Sequence, residues 1–444
     1  MDAHDSPDEQ VLALPLDSAD ASLARCGGKG LNLTRLVRAG FSVPPGFVLV
    51  TDAYRRFVTA NDLAPRIVEA CRGLDASDAT ALAAASASIR AAFSASSLPP
   101  EIAEAVRAAW RRVFARDAAV AVRSSATAED LPDLSFAGQL DTFLNVVGVE
   151  AALGSVVDCW SSLWTAHAIG YRLRNNVPDT DVALAVVVQT LVPAEVSGVL
   201  FTANPLTGAR GEVVIDATFG LGEALVSGQV EPDHLVVETT TGTITRSPGA
   251  KSVATKLVAG GGVETAVRDG GDRPTLTDAQ ARELAEVGRA VAAALGAPQD
   301  IEWTISQGAI QLVQARPITS LFPLPAGEPD AVWFSFGAVQ GMLQPMTPLG
   351  RDAINLVLSG LAQLLARGVD LGTAGYLRPA GERLWIRLDR MLRHPWGARL
   401  LPRLAPVVEP SAAAILHDLA RERGWTRPAG RPSAASVRAA ARLA

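Results

Sequence analysis

Arg123 to Thr142 reads R-S-S-A-T-A-E-D-L-P-D-L-S-F-A-G-Q-L-D-T. Before it, Ala118 to Val122 (A-A-V-A-V) has the composition of a short buried strand; after it, Phe143, Leu144, Val146 and Val147 resume an apolar run. Between them there is neither a helical nor a strand period. In a compact domain a polar loop this long is usually functional or disordered. Leu131, Leu134 and Phe136 need somewhere to pack, which argues against disorder. Its arginine, hydroxyls and glycine suit an oxyanion: guanidinium is a forked charged donor, hydroxyls and backbone N–H groups add neutral donors, and glycine admits close approach. The competing reading is a solvated hairpin with a structural Arg–Asp pair.

Upstream, Val11 to Leu16 reads as a short strand, and Arg25 to Gly40 is R-C-G-G-K-G-L-N-L-T-R-L-V-R-A-G. Leu33, Leu36 and Val37 stand at helical spacing and Gly40 is a stop signal. Gly27, Gly28, Lys29 and Gly30 therefore form a glycine-rich turn at a helix N-terminus, where free N–H groups and the helix dipole favour an anion. The turn lacks the Ser or Thr of a Walker-type loop, and a flexible turn with an exposed lysine fits it as well. Only three of the forty basic residues are lysines, Lys29, Lys251 and Lys256. A lysine kept against that bias points to a need for a compact charge.

Residues 61 to 117 are alanine-rich and helical in period, with Pro99 and Pro100 opening the last helix before the loop. Gly148 to Asn176 is helical again, and from Val182 the character changes to strands. Gly220 to Asp233, G-L-G-E-A-L-V-S-G-Q-V-E-P-D, either presents N–H groups to phosphate or simply connects strands. Thr277 and Gln280 form a capping box before a helix that stops at Gly296. Asp300 to Ile305 and Ala309 to Thr319 read as a hairpin. By two-residue alternation Asp300, Glu302 and Thr304 share one face, as do Gln314 and Arg316. An acid, an amide and an arginine so placed can hold Mg²⁺ and a polyphosphate together; an exposed cross-strand salt bridge is the alternative.

The length of 444 residues implies roughly two to four domains of ~100–200 residues. Composition is 48% apolar and 19% charged, that of a globular chain with large cores. A net charge of −6 argues against a general nucleic-acid or membrane-surface binder. The acidic N-terminus is unlike a signal peptide, and no apolar run approaches the ~20 residues needed to span a bilayer. Cys26, Cys71 and Cys159 have neither disulfide nor metal-ligand spacing, and the expected compartment is a reducing cytoplasm. Residues 320–331 are a Pro-rich linker. Beyond it, 332–444 starts a second, mainly helical domain whose final Ala/Arg helix has no closing element, so the domain is expected to be incomplete. From Arg378 onward thirteen arginines face five acids, a solvated helix face or one turned toward an acidic partner domain.

Taken in order, G-G-K-G-L-N-L, G-F-x-V-P-P-G-F, R-S-S-A-T-A-E-D-L-P, F-A-G-Q-L-D-T, G-V-L-F-T-A-N-P, G-L-G-E-x-L-V-S-G and D-I-E-W…Q-A-R-P-I-T span about residues 20–320. The set resembles the N-terminal nucleotide-binding region of the phosphoenolpyruvate synthase, pyruvate phosphate dikinase and rifampin phosphotransferase family. The resemblance implies an α+β class and an ATP-grasp-type two-lobed domain over 1–319, with lobes of roughly 1–180 and 181–319 clamping ATP and Mg²⁺. It casts Lys29 and Arg123 as the catalytic phosphate contacts. Gly138 and Thr142 fall where the family closes a loop over the polyphosphate. Gln189 stands on the adenine side, Glu302 and Gln314 at the metal, and Arg316 at phosphate.

The family passes a phosphoryl group from ATP through a carrier histidine to its acceptor, leaving AMP and phosphate. None of His4, His167, His234, His394 and His417 sits in the glycine-preceded, Thr/Ser-rich loop the family uses. A carrier-histidine domain is therefore expected in a C-terminal continuation or a separate chain. The apolar W-F-S-F-G and P-M-T-P-L stretches past the linker resemble a rifampin phosphotransferase-like substrate domain, implying a small-molecule acceptor. Phosphoenolpyruvate synthesis and a catalytically silent nucleotide-binding module are the alternatives.

Overall fold

The computed structural model describes residues 11–127, 130–131, 134–135, 141–175, 177–178, 182–268, 273–319, 321, 324–325, 331–336, 346–365, 371, 375–380, 383–393, 416, 418–419, 421 and 423. The chain divides into two units, Met1–Leu321 and Phe322–Ala444.

The first unit opens with β1 (Ala13–Pro15), α1 (Leu23–Arg38) and β2 (Gly46–Leu49). Four helices follow: α2 (Thr51–Ala60), α3 (Leu63–Cys71), α4 (Ala79–Ser94) and α5 (Pro100–Val113). Next come β3 (Ala119–Ala126), the two-residue strands β4 (Asp130–Leu131) and β5 (Leu134–Ser135), and β6 (Thr142–Val147). Helices α6 (Val149–Ser162) and α7 (Ala166–Arg174) then lead to β7 (Leu184–Thr190). One antiparallel sheet runs β1-β2-β7-β3-β6. The apolar run from Val182 is thus a strand central to this first sheet, buried on both faces, which is why it shows no alternation. The passage from the first sheet to the second comes after Thr190, not at residue 180.

Helices α2 to α7 cover one face of that sheet. Trp160, fully buried, packs at 5.0 Å from the Phe57 ring and 6.2 Å from Tyr54; such ring pairs add about 0.5–1.5 kcal/mol beyond the area they bury. Helix α1 covers the other face, where Leu33 and Leu36 join Val48 and Val187 in one apolar cluster.

The second sheet is built from β8 (Val196–Phe201), β9 (Glu212–Phe219), β10 (Asp233–Glu238), β11 (Ile244–Ser247), β14 (Gln299–Ser306) and β15 (Ala309–Pro317). Its order is β11-β10-β9-β8-β14-β15. Between its strands the chain inserts α8 (Glu223–Val226), the hairpin β12 (Val253–Leu257) and β13 (Val263–Val267), and α9 (Asp278–Leu295). Leu284 and Val291 of α9 pack on Leu200, Ile301 and Trp303, and the same cluster takes in Leu33 of α1. Helix α1 therefore lies against both sheets, and so places Lys29 within reach of the second.

The capping box is present: Thr277 Oγ1 accepts from Gln280 N at 3.3 Å while Gln280 Oε1 accepts from Thr277 N at 3.0 Å. Gly296 ends the helix in the left-handed conformation, φ 77°. Thr277→Ala is expected to cost about 1 kcal/mol, read as a lower urea midpoint at unchanged slope.

In the second unit the described residues show helix α10 (Pro348–Leu365), a sheet of three antiparallel strands, β16 (Trp333–Ser335), β18 (Arg383–Arg387) and β17 (Leu377–Ala380), and the short helix α11 (Asp389–Leu392). Arg387 holds Asp389 bidentately, at 2.8 and 3.1 Å, over a small cluster of Leu388, Leu392 and Leu416. Among the described residues no helix is long and apolar enough to cross a membrane.

Candidate functional site

Strand β3 carries R-S-S, and alternation sends Arg123 and Ser125 to one face and Ser124 to the other. Ser124 turns to α6, its hydroxyl 3.3 Å from that of Ser162. On the opposite face Arg123 crosses to the second sheet. Its Nη2 donates to Glu302 Oε2 at 2.6 Å and Gln314 Oε1 at 2.8 Å, and its Nη1 to Val313 O at 2.8 Å. These partners lie about 180–190 positions away in the chain, and the guanidinium fork matches all three oxygens.

A β-bulge beside Glu302 and Trp303 sets the register of the acceptors: Val313 is the extra residue, so Glu302 pairs with Gln314 and Asp300 with Arg316. Gln307 and Gly308 turn the hairpin, both with positive φ. Arg316 Nε donates to Asp300 Oδ2 at 2.8 Å. The cross-strand salt bridge is thus real, and it sits beside the Arg123 cluster.

Lys29 approaches from α1. A kink interrupts this helix at Gly27, φ 65° and ψ 178°, so a new helical start falls on Gly28. The glycine is needed twice over: φ is in the left-handed region, and a Cβ would overlap the Ser125 carbonyl oxygen. Gly30 N donates to Ser125 Oγ, so one of the free N–H groups read as an anion cradle is already met by a protein hydroxyl. Lys29 Nζ donates to Ser124 O at 3.1 Å.

The electrostatics distinguish the two acids. Burial pushes the Glu302 carboxyl up, but the Arg123 guanidinium, with Lys29 and Arg316 behind it, holds it below the usual glutamate range. For Asp300 burial prevails over Arg316, the neighbouring Glu302 charge adds to it, and the carboxyl is pushed up. Of the two acids Glu302 thus holds its charge more firmly toward low pH, and the charged form is the one a hard cation requires. Because Glu302 Oε2 and Gln314 Oε1 converge on one donor atom, they are near enough to share a single metal ion.

Thr142 pairs with Arg123 in register on β6, and Gln189 lies on β7 opposite Ala121. Both share Arg123's face of the sheet, Gln189 about 7 Å along the strand direction. Gln189 is buried and donates to Pro44 O at 3.2 Å. Gly138 lies outside the described residues. Lys29, Arg123, Glu302 and Gln314 are thus brought together, with Arg316 and Thr142 adjoining.

The sequence reading passed over three features. Ser125 and the Val313 carbonyl are one; a packed serine and a main-chain atom carry no local signal. For Asp300 alternation discloses the face but no role of its own. The third is a row of hydroxyls two residues beyond Glu302, where Thr304, Ser197 and Thr218 stand in register across three strands. The buried Thr304 and Thr218 Oγ1 atoms have no partner among the described residues.

Two joined sheets flanked by helices, with Arg123 offered by the first and Glu302 and Gln314 by the second, define an α+β domain. Residues 23–324 match the family described as pyruvate phosphate dikinase, AMP/ATP-binding domain, and the chain belongs to that family. Rifampicin phosphotransferase of a Streptomyces species is 46% identical over 345 residues, 76% of this chain and 40% of that protein. The Bacillus subtilis rifampicin phosphotransferase is 39% identical over 383 residues, 84% of this chain and 42% of its own length. A probable phosphoenolpyruvate synthase of Methanothermobacter thermautotrophicus is 42% identical over 301 residues, 66% of this chain and 44% of its own. The chain spans about two-fifths of the length of these relatives.

Proposed function

We propose that this chain is the ATP·Mg²⁺-binding, phosphoryl-donating part of a dikinase-type phosphotransferase with an ATP-grasp-type clamp. The observation that carries the reading is the meeting of Arg123 with Glu302 and Gln314, with Lys29 close enough to bias the same carboxylate. Lys29 and Arg123 contact the transferred phosphates, Arg316 and Thr142 lie at the polyphosphate's edge, and Gln189 stands toward the base. Gly138 belongs to the loop expected to cover the phosphates. Glu302 and Gln314 hold Mg²⁺, which, when bound, neutralises charge on the phosphates. The chain's own cations do the rest by position: they stabilise charge on the transferred group without covalent chemistry of their own.

The phosphoryl group passes to a histidine on a carrier domain and from there to a small-molecule acceptor, leaving AMP and phosphate. Among the described histidines, His167 is exposed on α7 and His234 is bonded to Asp216 at 2.7 Å on the second sheet. Neither lies in a carrier-type loop. A rifampicin phosphotransferase-like acceptor is favoured over pyruvate. The matches to proteins of that name cover 76% and 84% of this chain, against 66% for the probable phosphoenolpyruvate synthase, and so extend further past the nucleotide domain.

Isothermal titration with ATP and Mg²⁺ tests the donor site. The wild-type chain is expected to bind at a 1:1 ratio, and Lys29→Ala to weaken binding at least tenfold. A silent wild type, or an unaffected Lys29→Ala, would dispose of the reading.

A further inference from the structure

Ser125 is completely buried, and its hydroxyl both donates to and accepts from one short piece of α1. Oγ donates to Cys26 O at 2.7 Å and accepts from Gly30 N at 3.0 Å. Cys26 ends the first helical segment and Gly30 belongs to the first turn of the second, so the hydroxyl spans the kink at Gly27. Each bonded group would otherwise be one of the orphans that any helix end leaves. The cap comes not from the neighbouring sequence but from a strand almost a hundred residues away.

Lys29 lies inside the clamped segment, between Cys26 and Gly30, and its ammonium returns to the same strand at Ser124 O. Two residues before Ser125, on the same face of β3, Arg123 reaches Glu302 and Gln314. The tripeptide Arg123–Ser124–Ser125 thus bears one cation directly and fixes the other through its backbone and a hydroxyl. Gly27 permits the contact, since any side chain there would strike Ser125.

We propose that Ser125 is a positioning residue: by clamping the kink it sets where the Lys29 ammonium stands relative to the Arg123 guanidinium, and so how tightly the domain grips the terminal phosphates of its nucleotide. This rests on the ATP-binding reading above. Ser125 itself touches no ligand in this scheme. Its removal leaves the Cys26 carbonyl and the Gly30 N–H without their partner in a buried place, and the kink is free to relax. Lys29 then loses its fixed distance to Arg123, while the surroundings of Gln189 on the neighbouring strand are unchanged. The effect should therefore depend on the β- and γ-phosphates.

The experiment is a double-mutant cycle in the full chain, with dissociation constants for Mg·ATP and for AMP measured by titration calorimetry. Ser125→Ala is expected to weaken Mg·ATP about tenfold and AMP less than twofold. In a Lys29→Ala background, Ser125→Ala should weaken Mg·ATP by less than a further twofold, because the group it positions is gone. Equal weakening of ATP and AMP, or a full tenfold loss on top of Lys29→Ala, overturns the proposal and leaves Ser125 as an ordinary packing residue. If Ser125→Ala does not fold, Ser125→Cys keeps the volume with a much weaker donor and acceptor, and the same two comparisons decide. A wild-type chain that binds no Mg·ATP overturns the ATP-binding reading and this proposal together; wild-type binding with additive losses overturns this one alone.

Discussion

Arg123→Ala is expected to weaken Mg·ATP binding roughly a hundredfold or more. The guanidinium is 12% exposed and donates to three oxygens of the second sheet, one of them a carboxylate. In the ATP-binding reading the same guanidinium pairs with the phosphates; truncating one partner of a desolvated charge pair across a binding interface costs about 2–5 kcal/mol, and each ~1.4 kcal/mol is tenfold in affinity. Arg123→Lys keeps the charge but not the fork, and should recover only part of the loss. The same substitution should alter the acid response of the fold. In the wild type Glu302 titrates below its ordinary value of 4.5. It therefore contributes stability above that pH, lost as pH falls through the lowered folded value. Without Arg123 burial is less opposed, the carboxyl moves up, and this acid-labile contribution shrinks or reverses. Urea unfolding between pH 7 and pH 3 measures the second effect and calorimetric titration the first. Wild-type affinity in Arg123→Ala would mean that this residue joins two sheets and nothing more.

How much of this could be read from the chain depended on whether the signal was local. The hairpin, its alternation and the capping box at Thr277 were legible because each is a pattern within twenty residues. The facing of Glu302 with Gln314 and of Asp300 with Arg316 does not follow from them: regular pairing from the two-residue turn puts Val313 opposite Glu302, and a bulge beside Glu302 and Trp303 shifts the register by one residue. The meeting of Arg123 with Glu302 has no local signature, since 179 residues separate them, and only the resemblance put them in one site. The place of β7 is hidden for a physical reason: a strand buried on both faces is continuously apolar, so its run from Val182 reads as the opening of a new half although it belongs to the first sheet. The glycine turn was legible as a helix start, but not as one whose N–H group is taken by Ser125. In the second unit the strands at 333–335, 377–380 and 383–387 are too short for period to disclose them.

The three retained lysines have three different situations, and the second yields the largest expected effect on stability. Lys29 stands at the candidate site and Lys256 is exposed, whereas Lys251 is buried against Asp233, the two side chains 1% and 6% exposed. Lys251 Nζ donates to Asp233 Oδ1 and, at 2.8 Å, to Gly249 O. Asp233 also accepts from Gly249 N at 3.1 Å and from Thr275 N and Oγ1 at 2.8 and 2.9 Å. This joins the start of β10, the loop before β12 and the approach to α9. Burial opposes ionisation of Asp233, yet Lys251 and these donors hold its carboxyl below the ordinary 3.8. The pair thus contributes stability above that pH and loses it as pH falls further. Lys251→Ala removes one partner and is expected to cost about 3–5 kcal/mol at neutral pH, against no more than ~0.5 kcal/mol for Lys256→Ala. The pH response should also weaken. Without the ammonium burial is less opposed, so the Asp233 carboxyl moves up although Gly249 and Thr275 still donate to it, and the variant loses less stability in acid than the wild type. Urea midpoints of both proteins from pH 7 to pH 3 should therefore converge; a constant gap, or a loss no larger than that of Lys256→Ala, would show that the buried pair is not what ties these three segments together.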